Sequence, residues 1–168
     1  MENVSKPIII LSSPRCGSNL LMHSLAQHPQ AVCGGEWHCP EKSRCDPEHW
    51  KNRQTRACNL IKVCQHEPIP FDGLLIGLFR EDIEAQLRSW RKACLTGEWV
   101  AGSVSEPVEF PADARQVIIY TNQRINEECD RVFSYESLVD HWHEITKTIL
   151  QAANWEQWPI EMATLKQS

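Results

Sequence analysis

No apolar run in this chain approaches the ~18 residues that a membrane-spanning helix needs, and the first residues lack the basic-then-apolar order of a secretory signal. The expectation is a cytoplasmic protein with no membrane partner. Basic residues are also scarce: 17 Lys and Arg against 22 Asp and Glu give a net charge of −5, which argues against a general nucleic-acid binder. Any anion must therefore be held by a local cluster. The eight cysteines include no Cys-x-x-Cys pair, and without a secretion pattern a disulfide framework is not expected. Cys33, Cys39, Cys45, Cys58 and Cys64, with His38 and His49 between them, have the chemistry to bind zinc. Their gaps do not match structural zinc motifs, so the expectation is reduced thiols and no metal. A zinc-stabilised interaction domain built on residues 33–64 remains the alternative.

Two common phosphate-loop signatures are missing as well. Gly17 is followed by Ser18 instead of Lys, and Ser12 stands where a P-loop NTPase has its first glycine. A cysteine-based phosphatase would need an Arg where Met22 sits.

What is present starts at the N-terminal end. Pro7 to Leu11 is a β-branched and aliphatic run of the kind buried on both faces of a sheet. Ser12-Ser13-Pro14-Arg15-Cys16-Gly17-Ser18-Asn19 follows, and Leu20, Leu21, Ser24 and Leu25 then recur at helical spacing until His28-Pro29. A strand, a small-residue turn and a helix start bring free backbone N–H groups and the positive helix end to one place, which suits an anion, most often a phosphate.

At 168 residues the chain is long enough for one domain, residues 1–168, that buries roughly 70% of its unfolded surface. Ala31-Val32-Cys33 reads as a short strand, after which Gly34-Gly35 allow a sharp bend that carries Glu36 toward the loop. Residues 40–59 are polar and aperiodic, a mobile substrate-side insert. Leu60–Cys64 is a strand with Lys62 in an apolar run, and Leu74–Phe79 a central parallel strand. Asp82 caps a helix whose Ile83, Leu87, Trp90 and Cys94 form one face, ended by Thr96-Gly97. Val100–Pro111 reads as a connection. Asp113 caps a helix to about Cys129, although Val117-Ile118-Ile119-Tyr120 has strand character. Arg131–Tyr135 is the last strand, and Leu138, Trp142, Ile145 and Ile149 mark one helix to about Ala153. Strands alternating with helices imply an α/β domain with a parallel sheet that binds ligands at the strands' carboxyl ends.

The Pro-Arg-x-Gly-Ser-x-Leu-Leu loop resembles the 5′-phosphosulfate-binding loop of the sulfotransferases. Leu78-Phe79-Arg80-Glu81-Asp82, with Gln86, Ser89 and Thr96-Gly97-Glu98-Trp99, resembles that family's 3′-phosphate segment, in the form of the bacterial trehalose 2-sulfotransferase branch. Tyr135-Glu136-Ser137-Leu138 matches a third, structural element, and Leu165–Ser168 resembles the start of the late loop that closes over the nucleotide. The resemblance spans most of the chain, in a shortened form. It implies an α/β, three-layer P-loop-like fold with a central parallel sheet flanked by helices. It also implies transfer of a sulfuryl group from PAPS (3′-phosphoadenosine 5′-phosphosulfate) to a hydroxyl of a small-molecule or saccharide acceptor.

Carried over by position, the resemblance assigns the 5′ end of PAPS to Arg15, Cys16, Gly17, Ser18 and Asn19, and its 3′-phosphate to Arg80 and Ser89. Arg15 would also stabilise charge on the leaving phosphate, Glu36 would act as general base, and Lys62 would place a cation near the transferred group. Cys16 and Asn19 stand where the family often has hydroxyl residues, which puts two side-chain contacts in doubt. Plainer readings stay open. Glu36 is a surface carboxylate, with His38 and His66 as rival bases; Arg80 pairs with Glu81 or Glu84; Ser89 is a surface position; Lys62 lies on an edge strand facing water. A nucleotide-binding module without catalysis is the remaining alternative.

Overall fold

The computed structural model describes residues 4–37, 58–64, 69, 72–100 and 103–164. In chain order the elements are β1 (Ile8–Ser12), α1 (Ser18–Leu25), β2 (Cys33–Trp37), β3 (Leu60–Cys64), β4 (Leu74–Phe79), α2 (Ile83–Thr96), β5 (Glu98–Val100), β6 (Ser103–Val104), α3 (Ala114–Glu128), β7 (Arg131–Ser134), α4 (Tyr135–Asp140) and α5 (Trp142–Ala152). Strands β2-β3-β1-β4-β7 form one parallel sheet in that order, and β5 and β6 form a small antiparallel hairpin. Among the described residues no helix is long and apolar enough to cross a membrane.

The apolar runs of β1 and β4 are fully used because both sheet faces are covered. Ile8, Ile10, Leu74, Ile76 and Leu78 point to one face, where Leu21 and Leu25 of α1 and Trp142, Ile145 and Ile149 of α5 pack on them. Ile9, Leu11, Ile61, Val63 and Leu75 point to the other, against Ile125 of α3. The two-residue period of a strand sorts the side chains; burial of both sets is why the sequence shows no alternation. A third cluster joins α2 to α3 through Trp90, Cys94, Ala114 and Ile118.

The segment after α5 returns across α1. Trp155 donates its indole N–H to the Lys6 carbonyl (2.8 Å), Trp142 to that of Ile160 (2.9 Å), and the Ala163 amide donates to Ser24 Oγ (2.8 Å). His28, buried beside Trp155, places Nε2 2.8 Å from the Glu156 carbonyl while Nδ1 accepts the Gln30 amide at 3.0 Å. Since Nδ1 accepts, Nε2 carries the proton and donates.

Several sequence expectations need correction. The second strand is Cys33–Trp37, not 31–33, so Gly34, Gly35 and Glu36 lie in a strand with a bulge between Cys33 and Gly35 instead of in a free bend. Pairing with β3 supplies hydrogen bonds that a glycine pair does not forbid. The helix expected from Asp113 to about Cys129 does form, as α3, and Val117–Tyr120 is helical within it because α3 packs Ile118 and Ile125 inward at helical spacing. The final helix is two, α4 and α5, broken at His141 (φ −123, ψ 39), and Tyr135 opens α4 instead of ending β7. The connection 100–111 contains half of the β5–β6 hairpin. Most of the insert 40–59 and the terminal 165–168 lie outside the described residues, as do His38, Cys39, Cys45, His49 and His66.

At Gly77 the sheet and α3 approach closely. A Cβ there would fall 2.3 Å from Ile125 Cγ2 and 3.0 Å from Cys129 Sγ. Overpacking of this kind costs about 1–3 kcal/mol. Gly77→Ala should therefore lower the denaturant midpoint by a corresponding amount, as read by urea unfolding followed by circular dichroism.

Candidate functional site

Because all five described strands of the main sheet run parallel, their carboxyl ends share one edge, and the loops leaving them meet there. After Ser12 the chain turns through Arg15 (φ 64) and Gly17 (φ 86), both left-handed, before α1 begins at Ser18. The first helical hydrogen bond runs from the Leu21 amide to the Gly17 carbonyl (3.1 Å), so the amides of Ser18 and Asn19 precede the helical ladder. Gly17 is required twice over: its φ suits glycine, and a Cβ would lie 2.5 Å from the Tyr135 ring. The first turn of α1 holds no acidic residue.

Cys16 turns away from this edge. It is fully buried, and its thiol donates to the carbonyls of Ser13 (3.1 Å) and Leu78 (3.3 Å). Burial pushes the thiol up to about 11, against a smaller opposing pull from neighbours that include Ser12 and Lys62. Cys16 thus offers the site its amide and not its side chain.

The Arg80–Ser89 block meets the loop through Arg15. Arg15 Nε donates to Ser89 Oγ (3.0 Å), and Nη1 donates to the Trp99 carbonyl (2.6 Å). Burial first, and then the charge of Arg80, lower the Arg15 pKa, while Glu98 opposes the shift. Arg80 lies with its guanidinium 5.1 Å from the centre of the Tyr135 ring, a cation–π distance. Its Nε is buried with no hydrogen-bond partner among the described residues; the Glu136 carboxylate oxygen is 3.9 Å away, too far for a hydrogen bond. A buried guanidinium donor without an acceptor fits an anion such as a phosphate oxygen. The pairing of Arg80 with Glu81 or Glu84 is not what forms: Glu84 pairs with Arg115, and Arg80 turns to Tyr135 and Glu136.

On the other side of the loop, Lys62 sits in β3 between β2 and β1, not on an edge strand, and its side chain is 11% exposed. Register places Lys62 opposite both Ile10 and Glu36. Its ammonium donates to Asn19 Oδ1 (2.9 Å) and lies 3.6 Å from Glu36 Oε1. A buried lysine needs such partners. Glu36, Lys62 and Asn19 therefore form a chain of contacts leading to the start of α1, and Arg15, Ser89 and Arg80 form another. Among the described residues no group of three or more His, Cys, Asp or Glu could hold a metal ion, and Cys16, Cys33, Cys94 and Cys129 are free thiols.

Three residues were given no site role by sequence. Gln86, fully buried, donates Nε2 to Ser13 Oγ and the Pro14 carbonyl, both at 2.7 Å, and so fixes the loop to α2. Tyr135 packs against Gly17 and Arg80 together. Glu136 accepts the Glu81 amide at 3.0 Å, which holds the turn after β4. The signal for Gln86 was a polar residue one step off the apolar face of α2.

The raised Cys16 pKa has a chemical consequence. The thiolate is the reactive form and becomes populated only as pH rises toward 11. Alkylation of the native chain near neutral pH should modify exposed Cys33 and leave Cys16 unmodified until denaturant is added, as read by peptide mass mapping.

No family model and no curated protein matches this chain. Among solved structures, the crystal structure of mouse sulfotransferase SULT7A1 complexed with PAP is similar to it, with a TM-score of 0.58 at 11% sequence identity. The likeness covers 91% of this chain and 59% of that one, so the chain spans about 59% of the length of the structure it matches. The chain has an α/β, P-loop-like fold, a central parallel sheet flanked by helices, shared with that sulfotransferase.

Proposed function

We propose that this chain is a PAPS-dependent sulfotransferase, moving a sulfuryl group to a hydroxyl of a small-molecule or saccharide acceptor. The observation that carries the reading is the meeting of the loop 13–19 with Arg80 and Ser89 through the Arg15–Ser89 hydrogen bond of 3.0 Å. The fold shared with a sulfotransferase crystallised with PAP supports it.

On this reading the amides of Cys16, Gly17, Ser18 and Asn19, with the α1 dipole behind them, receive the 5′-phosphosulfate. Arg80 and the Ser89 hydroxyl receive the 3′-phosphate, and Arg80 Nε finds there the acceptor it otherwise lacks. PAPS supplies the sulfuryl group and a stable leaving phosphate. Glu36 takes the proton from the acceptor hydroxyl as its oxygen bonds to sulfur, and the electron pair of the broken S–O bond stays with the bridging phosphate oxygen. Lys62, between Asn19 and Glu36, holds the base beside the loop and adds positive charge where negative charge develops. Arg15 exchanges the Trp99 carbonyl for a phosphate oxygen, so that its guanidinium donates to an ionised acceptor in place of a neutral one. Holding donor and acceptor together is worth roughly 7–11 kcal/mol, more than the base supplies.

Thermal-shift titration tests the first half: adenosine 3′,5′-bisphosphate should raise the melting temperature more than AMP or ATP. Arg80→Ala should weaken bisphosphate binding by roughly 10–100-fold and AMP binding far less; equal losses contradict the 3′-phosphate role. Glu36→Gln should lower turnover by about 10²–10⁴-fold with bisphosphate binding unchanged. Bisphosphate binding with no turnover across an acceptor panel would leave only the non-catalytic module.

A further inference from the structure

The sheet-edge site uses one side of α2, through Gln86 and Ser89. Helical spacing puts Glu84, Leu87, Arg88 and Arg91 on the opposite side. There they line a cavity of about 310 Å³ with Phe110, Ala112, Ala114 and Arg115 from the lead-in and first turn of α3. This is within the size range of small-molecule sites.

Its charge is unlike the rest of the molecule. The chain carries −5 overall, yet three guanidiniums face this groove against one carboxylate. Glu84 is already paired with Arg115. Arg91 lies over the Phe110 ring, 4.9 Å from its centre, a stack that uses the face of the guanidinium and leaves its N–H edge free to donate. Arg88 has no hydrogen-bonding or ion-pair partner among the described residues. Two arginines without a carboxylate thus border an apolar floor of Leu87, Phe110, Ala112 and Ala114.

We infer that this groove binds a small amphiphilic anion, an apolar ring or chain ending in a carboxylate, sulfate or sulfonate, at a site separate from the nucleotide loop. The ring lies on the apolar floor, and the anionic end takes paired N–H donors from Arg88 and Arg91. A phosphate ion alone would leave the floor uncovered. A neutral ring would leave the guanidiniums without an acceptor.

Calorimetric titration of naphthalenesulfonate into the full chain tests this, with uncharged naphthalenesulfonamide and inorganic sulfate as comparisons. Saturable binding at one site is expected, weakened by salt and stronger than for either comparison compound. Arg88→Glu and Arg91→Gln should each weaken it about tenfold or more. Both side chains are exposed, so the melting temperature should hold. Arg80→Ala, which alters only the sheet-edge site, should leave naphthalenesulfonate binding unchanged whether or not that site takes a nucleotide. The inference is overturned by absence of saturable binding, by parent-like binding in Arg88→Glu, or by loss of binding in Arg80→Ala.

Discussion

Two guanidinium groups, those of Arg15 and Arg80, are held near one another in a place that is partly closed to water. Burial and mutual repulsion both work against the charge on Arg15. The surrounding structure is arranged to offset that cost. Arg15 is tied to α2 and to the β5 strand through Ser89 and the Trp99 carbonyl, with Glu98 contributing opposite charge. Arg80 rests on Tyr135 and leans toward Glu136, whose carboxylate is itself fixed by the Glu81 amide. The Arg15 loop, the turn after β4, α2, β5 and the start of α4 therefore meet around two like charges, and such a pair is best satisfied by a ligand with more than one negative charge.

The parallel sheet makes this arrangement possible. It brings the ends of β1, β4 and β7 to one edge and lets each contribute a short, stiff loop. It also explains Lys62. On a covered sheet face the lysine meets little water, so its ammonium takes its partners inside the protein: Glu36 directly across on β2, and Asn19 at the start of α1. The result is a carboxylate, a cation and a helix start connected without any loop between Lys62 and the sheet.

The loop 13–19 was legible as a strand-turn-helix because it is written in local chemistry: an apolar strand, small residues, then a helix start. Asp82 as the cap of α2, accepting the Ala85 amide, was legible for the same reason. The position of Glu36 was not. A Gly-Gly pair reads as a bend, and only pairing with β3, more than twenty residues onward, makes it a bulged strand. The burial of Lys62 was hidden because strands covered on both faces carry no alternation to say which way a residue points. Arg15 in a left-handed conformation, and Tyr135 against Gly17, depend on packing between distant stretches and leave no local trace. The break at His141 separates helices whose apolar spacing runs nearly in phase, so periodicity alone merged them.

The segment that crosses α1 imposes an order of events on biosynthesis. Leu21 and Leu25 are made soon after Ile8 and Ile10, with which they cluster, but other members of that cluster, Trp142, Ile149, Trp155 and Ile160, are made more than a hundred residues later. Until then the nascent polypeptide leaves part of the apolar surface of α1 uncovered. The packing of α1 is thus completed only once the segment after α5 has been made, and chaperone contact during translation should concentrate on that helix.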